Sequence, residues 1–342
     1  MKKFILKVVL ILAPTIAINL TFGILRNHNG DETIPFRQNW MDQYMNLNQM
    51  DPAIGLMTID AKKFDMSKDV LSYTLTRFKD KWGFQNAKDI KSPNILFIGD
   101  SFFDDPFLSY TDGLSYNFES SMNLSSVGCS GFKVFNELKD HGYFTTLPKI
   151  IFMEVVERNF SAWSDLFEQI ETNEFKTKPY YYCGLDFVFG NNITGASMDN
   201  LKPKKKTIDE KRGTIHVLDG KREIYFYTNQ IQTFDDETLL DKTFKNMKLV
   251  SDYFKQKNTQ VVFIIAPDKE SIYPEFYPAS NLPKIHKQMD ALQLNYINMY
   301  ETMMQSPIRT NCYWDGDTHW NPNAYKMLID QMRAKTTSLG IK

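Results

Sequence analysis

The chain has 342 residues, enough to bury a sizeable core. Its 42% hydrophobic and 24% charged content excludes disordered and collagen-like classes. Lys and Arg (40) nearly balance Asp and Glu (41), and a formal charge of −1 argues against a nucleic-acid partner. The three cysteines, Cys129, Cys183 and Cys312, form no CxxC pair and no zinc spacing, so neither a disulfide framework nor a structural metal is expected. Nothing in the sequence requires a cofactor.

The N-terminus sets the compartment. Lys2, Lys3 and Lys7 precede an apolar run over residues 8–25. At about 1.5 Å per residue it spans about 27 Å, close to the roughly 30 Å of a bilayer core. No clean A-x-A cleavage site follows, so residues 1–26 are expected to be a retained membrane anchor, with a signal peptide as the alternative. Lysines before the run place the N-terminus in the cytoplasm and the rest outside, in the periplasm or at the cell surface. Residues 27–91 form a lead-in, including a helix-like stretch over 67–82, that packs on the main domain.

From Asn94 onward short apolar runs alternate with helical segments. Strands are expected at 95–98, 124–127, 149–156, 261–267 and 296–299, with helices at 239–256 and 323–332. That alternation predicts an α/β fold with a parallel sheet covered on both faces. Such sheets bind ligands beyond the carboxyl ends of their strands. Residues 171–235 break the rhythm. With the run Lys202-Pro203-Lys204-Lys205-Lys206 and a strand-like stretch at 223–227, they read as an insertion flanking the cleft, and the lysines read as a solvated loop.

Two segments stand where chemistry is expected. Ile98-Gly99-Asp100-Ser101-Phe102 follows the first strand directly. A strand-to-helix turn of this kind exposes a hydroxyl near backbone N–H groups, as a nucleophile requires. Far downstream, Trp314-Asp315-Gly316-Asp317-Thr318-His319-Trp320-Asn321-Pro322 leads into the last helix, with Asn321 as cap and Pro322 in the first turn. Two residues apart in non-helical chain, Asp317 can reach Nδ1 of His319 and leave Nε2 facing the cleft. Asp315, beyond Gly316, reads as an ordinary turn aspartate. His28, His141, His216 and His286 lack a comparable setting; for His286 no companion carboxylate is expected.

On these two motifs, residues 92–335 resemble the SGNH (GDSL-type) hydrolase superfamily. More narrowly they resemble the alginate O-acetyltransferase-like branch involved in exopolysaccharide acetylation. Glu154-Val155-Val156-Glu157-Arg158 and Ala266-Pro267-Asp268-Lys269-Glu270-Ser271-Ile272-Tyr273-Pro274 also look like segments of that branch. Gly316 stands where the common esterase form, D-x-x-H, has its aspartate. The resemblance implies a flavodoxin-like three-layer fold over residues 92–342. It also implies Ser101 as nucleophile, His319 as base and Asp317 as its orienter. Oxyanion or substrate-binding roles then fall to Gly131 (or Gly128), Arg158 and Asn159, beside the Ser101 amide. The implied activity is transfer of an acetyl group through a Ser acyl-enzyme to a polysaccharide, with a membrane-bound O-acyltransferase as the supplying partner. The same triad with water as acceptor gives a carbohydrate or lipid esterase. D-alanyl transfer to teichoic acid and a non-catalytic binding protein are the remaining alternatives.

Overall fold

The computed structural model describes residues 86–171 and 214–341, except 87, 89, 104–112, 126–131, 133–134, 137–138, 140–143, 227–235, 279 and 316–317. All of these belong to one compact unit formed by Arg37–Thr172 and Thr207–Lys342. The expected anchor over residues 1–26, most of the lead-in and the run at 202–206 lie outside the described residues. Among the described residues no helix is long and apolar enough to cross a membrane.

In chain order the elements are β1 (Ile95–Ile98), α1 (Leu114–Asn117), β2 (Ser121–Asn123), β3 (Ile150–Val156), a 3₁₀ segment (Glu157–Asp165) and α2 (Glu168–Glu171). Then come β4 (Thr214–Leu218), β5 (Arg222–Phe226), α3 (Glu237–Lys255), β6 (Gln260–Ala266), α4 (Lys269–Ile272), α5 (Leu282–Ala291), β7 (Tyr296–Ile297), α6 (Met299–Met304) and α7 (Pro322–Ser338). The main sheet runs β2-β1-β3-β6-β7 with every pairing parallel. Counted along this sheet alone the order is 2-1-3-4-5, the doubly wound arrangement whose crevice opens at the switch point between the first and third strands. Ser101 emerges at that point.

The apolar runs form strands because both faces of the sheet are covered. Side chains alternate between faces. Phe97, Phe152, Val262 and Ile264 share a core cluster with Met299, Met303, Tyr325 and Leu328 of α6 and α7. Phe97 and Phe152 stack with ring centroids 5.7 Å apart. On the opposite face Phe263 meets Trp163 of the 3₁₀ segment at 5.4 Å. There α3 packs along that segment and β6, with Phe244, Met247, Val250 and Phe254 on its buried stripe.

The second strand differs from expectation. It occupies Ser121–Asn123, three residues before the predicted run, with Ser121 opposite Ile95. The ladder extends only as far as the Leu124 amide, which donates to the Phe97 carbonyl at 2.9 Å. Ser121 and Asn123 are polar yet buried: the Ser121 hydroxyl donates to the Phe118 carbonyl, and the Asn123 side chain donates to the Phe103 carbonyl and accepts from the Ser125 amide, so the strand carries little hydrophobic signal. Within the expected insertion, β4 and β5 form an antiparallel hairpin. Asp219 and Gly220 turn it with positive φ at both positions (51° and 68°), and the Lys221 amide closes the turn on the Leu218 carbonyl at 3.1 Å, with three residues between the paired Leu218 and Arg222.

At the start of α7 the Asn321 side chain accepts from the Asn323 amide at 3.0 Å, and its Nδ2 donates to the carbonyls of Asn311 (3.1 Å) and Tyr313 (3.2 Å). Asn321→Ala removes a cap and strands one acceptor, the Tyr313 carbonyl, beside the His319 loop, while the Asn311 carbonyl keeps its bond from Asn323 Nδ2 at 3.0 Å. We expect a loss of about 1–3 kcal/mol in urea unfolding. A loss under a few tenths would show that the cap is not holding the helix start.

Candidate active site

The Ser101 turn is built by buried polar groups around β3. The Asp100 carboxylate accepts from the Phe102 amide (3.0 Å) and, from the neighbouring strand end, from the Val156 amide (3.1 Å). The Asp100 amide donates to Oε2 of Glu154 at 2.9 Å. Glu154 is 0% exposed in mid-strand, and its Oε1 meets no hydrogen-bond partner among the described residues. Burial, reinforced by the Asp100 charge, pushes its pKa well above the usual carboxylate range. Gly99 is dictated by the same carboxyl: a Cβ there would lie 2.5 Å from Glu154 Oε2 and 3.1 Å from Phe103.

The second half arrives on the loop between Tyr313 and α7. Tyr313 and Trp320 bridge across its neck. The buried Trp320 indole donates to the Tyr313 hydroxyl (3.0 Å), which donates to the Pro267 carbonyl (2.6 Å) at the end of β6. Phe102 packs beneath both His319 and Trp320, at 5.2 Å from each ring. The Tyr325 hydroxyl of α7 donates to the Phe102 carbonyl. The outcome is a hydrogen bond of 2.8 Å between His319 Nε2 and Ser101 Oγ, across 218 residues of sequence. Ser101 is 7% exposed and His319 1%.

The other expected site residues divide. Asp317, Gly131 and Gly128 lie outside the described residues. Arg158 forms an ion pair with Asp268 and sits 5.7 Å over the ring of Phe102, the residue after Ser101. Asn159 is exposed on the 3₁₀ segment. Nor is Asp315 a solvated turn aspartate; both its carboxylate oxygens accept from Arg222. The remaining described histidines pack on aromatics. His216 stacks on Phe276 at 4.6 Å and His286 on Tyr296 at 5.1 Å. His286 does face a carboxylate, that of Asp290 one turn on, but burial dominates and lowers its pKa to about 4.

Glu154 was a missed structural residue of the site, although a lone carboxyl in an otherwise apolar strand was a visible signal. Beside the Arg158–Asp268 pair, Glu157 accepts from the Asp268 amide (3.0 Å), Ser271 (2.6 Å) and Ser280 (2.7 Å). Burial and the Asp268 charge raise both Glu157 and Glu270 to about 7.

A serine hydroxyl hydrogen-bonded to an imidazole sits at the switch point of a parallel 2-1-3-4-5 sheet, with the serine before the histidine in the chain. Such a pair is chemically suited to acyl transfer or ester hydrolysis through serine. No family model matches the sequence, and neither does any curated protein. Among solved structures it is similar to a GDSL-like lipase from Bacteroides thetaiotaomicron (11% identity, 72% of this chain and 88% of that one, TM-score 0.37). It is likewise similar to an acetylxylan esterase from Geobacillus stearothermophilus (12% identity, 75% and 98%, TM-score 0.34). A third is a lipopolysaccharide acetyltransferase periplasmic domain from Salmonella ser. Paratyphi A (8% identity, 86% and 100%, TM-score 0.37). At these identities and scores the weight rests on the site geometry.

Two predictions follow from the turn. Gly99→Ala forces Cβ into Glu154 and should cost about 1–3 kcal/mol while slowing reaction at Ser101; unchanged stability would contradict the close approach. For Glu154, a raised folded-state pKa means its stabilising contribution is full below about pH 4.5 and lost as pH rises toward the folded value. Glu154→Gln, neutral throughout, should therefore gain on the wild type as pH increases. Thermal unfolding at pH 5 and pH 8 measures this: the variant's advantage must be larger at pH 8, and the reverse order would mean that Glu154 is ionised in the fold.

Proposed function

We propose that this chain is an extracytoplasmic O-acyltransferase that carries an acetyl group on Ser101 to a hydroxyl of a cell-surface or secreted polysaccharide. The observation that carries the catalytic part is the 2.8 Å contact between Ser101 Oγ and His319 Nε2. In the first half-reaction His319 takes the Oγ proton as Oγ adds to the acetyl carbonyl. The imidazolium then protonates the departing group of the donor. In the second, His319 deprotonates the acceptor hydroxyl, which attacks the acyl-enzyme, and the proton returns to Ser101 Oγ. Asp317 is the proposed orienter of the imidazole on the strength of its i−2 spacing, and the Ser101 amide is one proposed oxyanion donor.

The apolar run at residues 8–25 behind three lysines supports a membrane-anchored, extracytoplasmic placement. Acetyl-CoA is confined to the cytoplasm, so an acceptor outside needs acetyl groups passed across the membrane. A membrane-bound O-acyltransferase partner is the proposed source, and the branch resemblance supports it. The alternative, a carbohydrate or lipid esterase, uses the same residues with water in place of the sugar hydroxyl.

The test is incubation of the full-length protein with 4-nitrophenyl acetate, with and without acceptor oligosaccharide, followed by mass spectrometry. The expected result is an acetyl adduct on the Ser101 peptide and acetylated oligosaccharide. Acetate alone, at a rate the oligosaccharide leaves unchanged, would make it an esterase. Ser101→Ala should retain the thermal midpoint and lose the adduct. Acetylation of that variant at another serine would overturn the assignment.

A further inference from the structure

The loop that carries His319 is held at its tip by elements that touch neither Ser101 nor His319 among the described contacts. Arg222, at the start of β5, lays its guanidinium along Asp315, with Nε donating to Oδ1 at 2.8 Å and Oδ2 at 2.9 Å while Nη2 also donates to Oδ1. Its Nη1 donates to the Thr310 carbonyl at 2.8 Å, on the chain entering the loop. One guanidinium thus ties the approach and the tip of the loop together. The neighbouring β5 amide of Tyr225 donates to the Asp315 carbonyl at 2.9 Å. From the start of α4, Lys269 Nζ donates to the carbonyls of Trp314 (2.6 Å) and Asp315 (3.0 Å). The Trp314 amide in turn reaches the His319 carbonyl at 3.3 Å. Tip, neck and histidine are therefore linked by consecutive hydrogen bonds, and the hairpin is joined to them by a fork that matches a carboxylate in two places.

From this geometry we propose that Arg222, acting through Asp315, is a positioning residue that sets the approach of His319 Nε2 to Ser101 Oγ. The proposal gives the β4–β5 hairpin a task in the reaction of the preceding section and rests on that reading for its kinetic consequence. Both side chains of the pair are about one-third exposed (32% and 28%). Removing the pair therefore leaves the buried core untouched. What it changes is the placement of an imidazole that must meet a hydroxyl within hydrogen-bond reach, where about 1 Å of misplacement can cost on the order of 10²-fold.

The experiment compares full-length wild type with Arg222→Ala, Asp315→Ala and the double variant. Asp315→Asn keeps the side chain's shape and guards against misfolding. Two readouts are taken. The first is kcat and KM for 4-nitrophenyl acetate. The second is the ring nitrogen resonances of His319 in protein labelled with ¹⁵N-histidine, assigned through His319→Ala. The expected result is a fall of about 10- to 100-fold in kcat for each single variant, KM within about twofold, and no further loss in the double variant. The His319 ring signals should shift in the same variants while thermal midpoints stay close to wild type. Unchanged His319 resonances overturn the proposal whatever the kinetics, and so do unchanged kcat values or losses that multiply in the double variant. A wild type with no turnover, whose His319 signals nevertheless move in Arg222→Ala, would defeat the acyl-transfer reading and support the brace. A wild type that turns over, with variants that match it, would do the opposite.

Discussion

A single hydrogen bond, Ser101 Oγ to His319 Nε2 at 2.8 Å, unites two loops 218 residues apart in sequence, and the architecture serves to keep them adjacent. One loop leaves β1; the other enters α7. Neither forms regular structure of its own, so each is fixed from outside. The Asp100 carboxylate ties the nucleophile turn to the end of β3 through the Val156 amide. On the histidine side, the Tyr313 hydroxyl ties the loop neck to the end of β6 through the Pro267 carbonyl. Because β1, β3 and β6 are neighbours in one parallel sheet, both anchors refer to the same rigid frame. Phe102, packed under His319 and Trp320, fills the space between.

The polar groups behind this frame are costly to bury and are arranged to limit the cost. Burial pushes the Glu154 carboxyl toward its neutral form, which limits the cost of placing it at the centre of the sheet. Its price is paid by Gly99, which gives up a side chain to let the carboxyl reach the Asp100 amide. Arg158 neutralises Asp268, and three hydrogen bonds gather on Glu157 next to them. A buried ion pair of this sort is weak support for stability, since desolvation offsets much of the attraction. What the Arg158–Asp268 pair does secure is geometry: the segment after β3 is tied to the segment after β6, beneath the Phe102 ring.

The two segments that meet at Ser101 and His319 were legible in the sequence because their signals are local. Three apolar runs marked β1, β3 and β6; Gly-Asp-Ser followed the first; and Asn321-Pro322 announced the start of α7 directly after His319. What was not legible depends on partners far apart in the chain. Arg158 pairs with Asp268, 110 positions later, a partner that no local pattern announces. Asp315 looked like a solvated turn residue because Arg222 lies 93 positions before it, in a segment that reads as an insertion. β2 was misplaced by three residues because Ser121 and Asn123 are buried polar groups with no hydrophobic signature, the Asn123 side chain donating to the Phe103 carbonyl 20 positions earlier and its backbone amide to Asn86, 37 positions earlier. Long-range polar pairing leaves no periodicity to read.

The central claim is that Ser101 is a nucleophile and that His319 makes it one. Labelling with an active-site-directed fluorophosphonate, followed by peptide mapping, tests this without knowledge of the acyl donor or the acceptor. The account predicts a single modified peptide, the one containing Ser101, labelled in the wild type and not detectably labelled in His319→Ala. Modification at another residue, or labelling of Ser101 at an undiminished rate in His319→Ala, would contradict it.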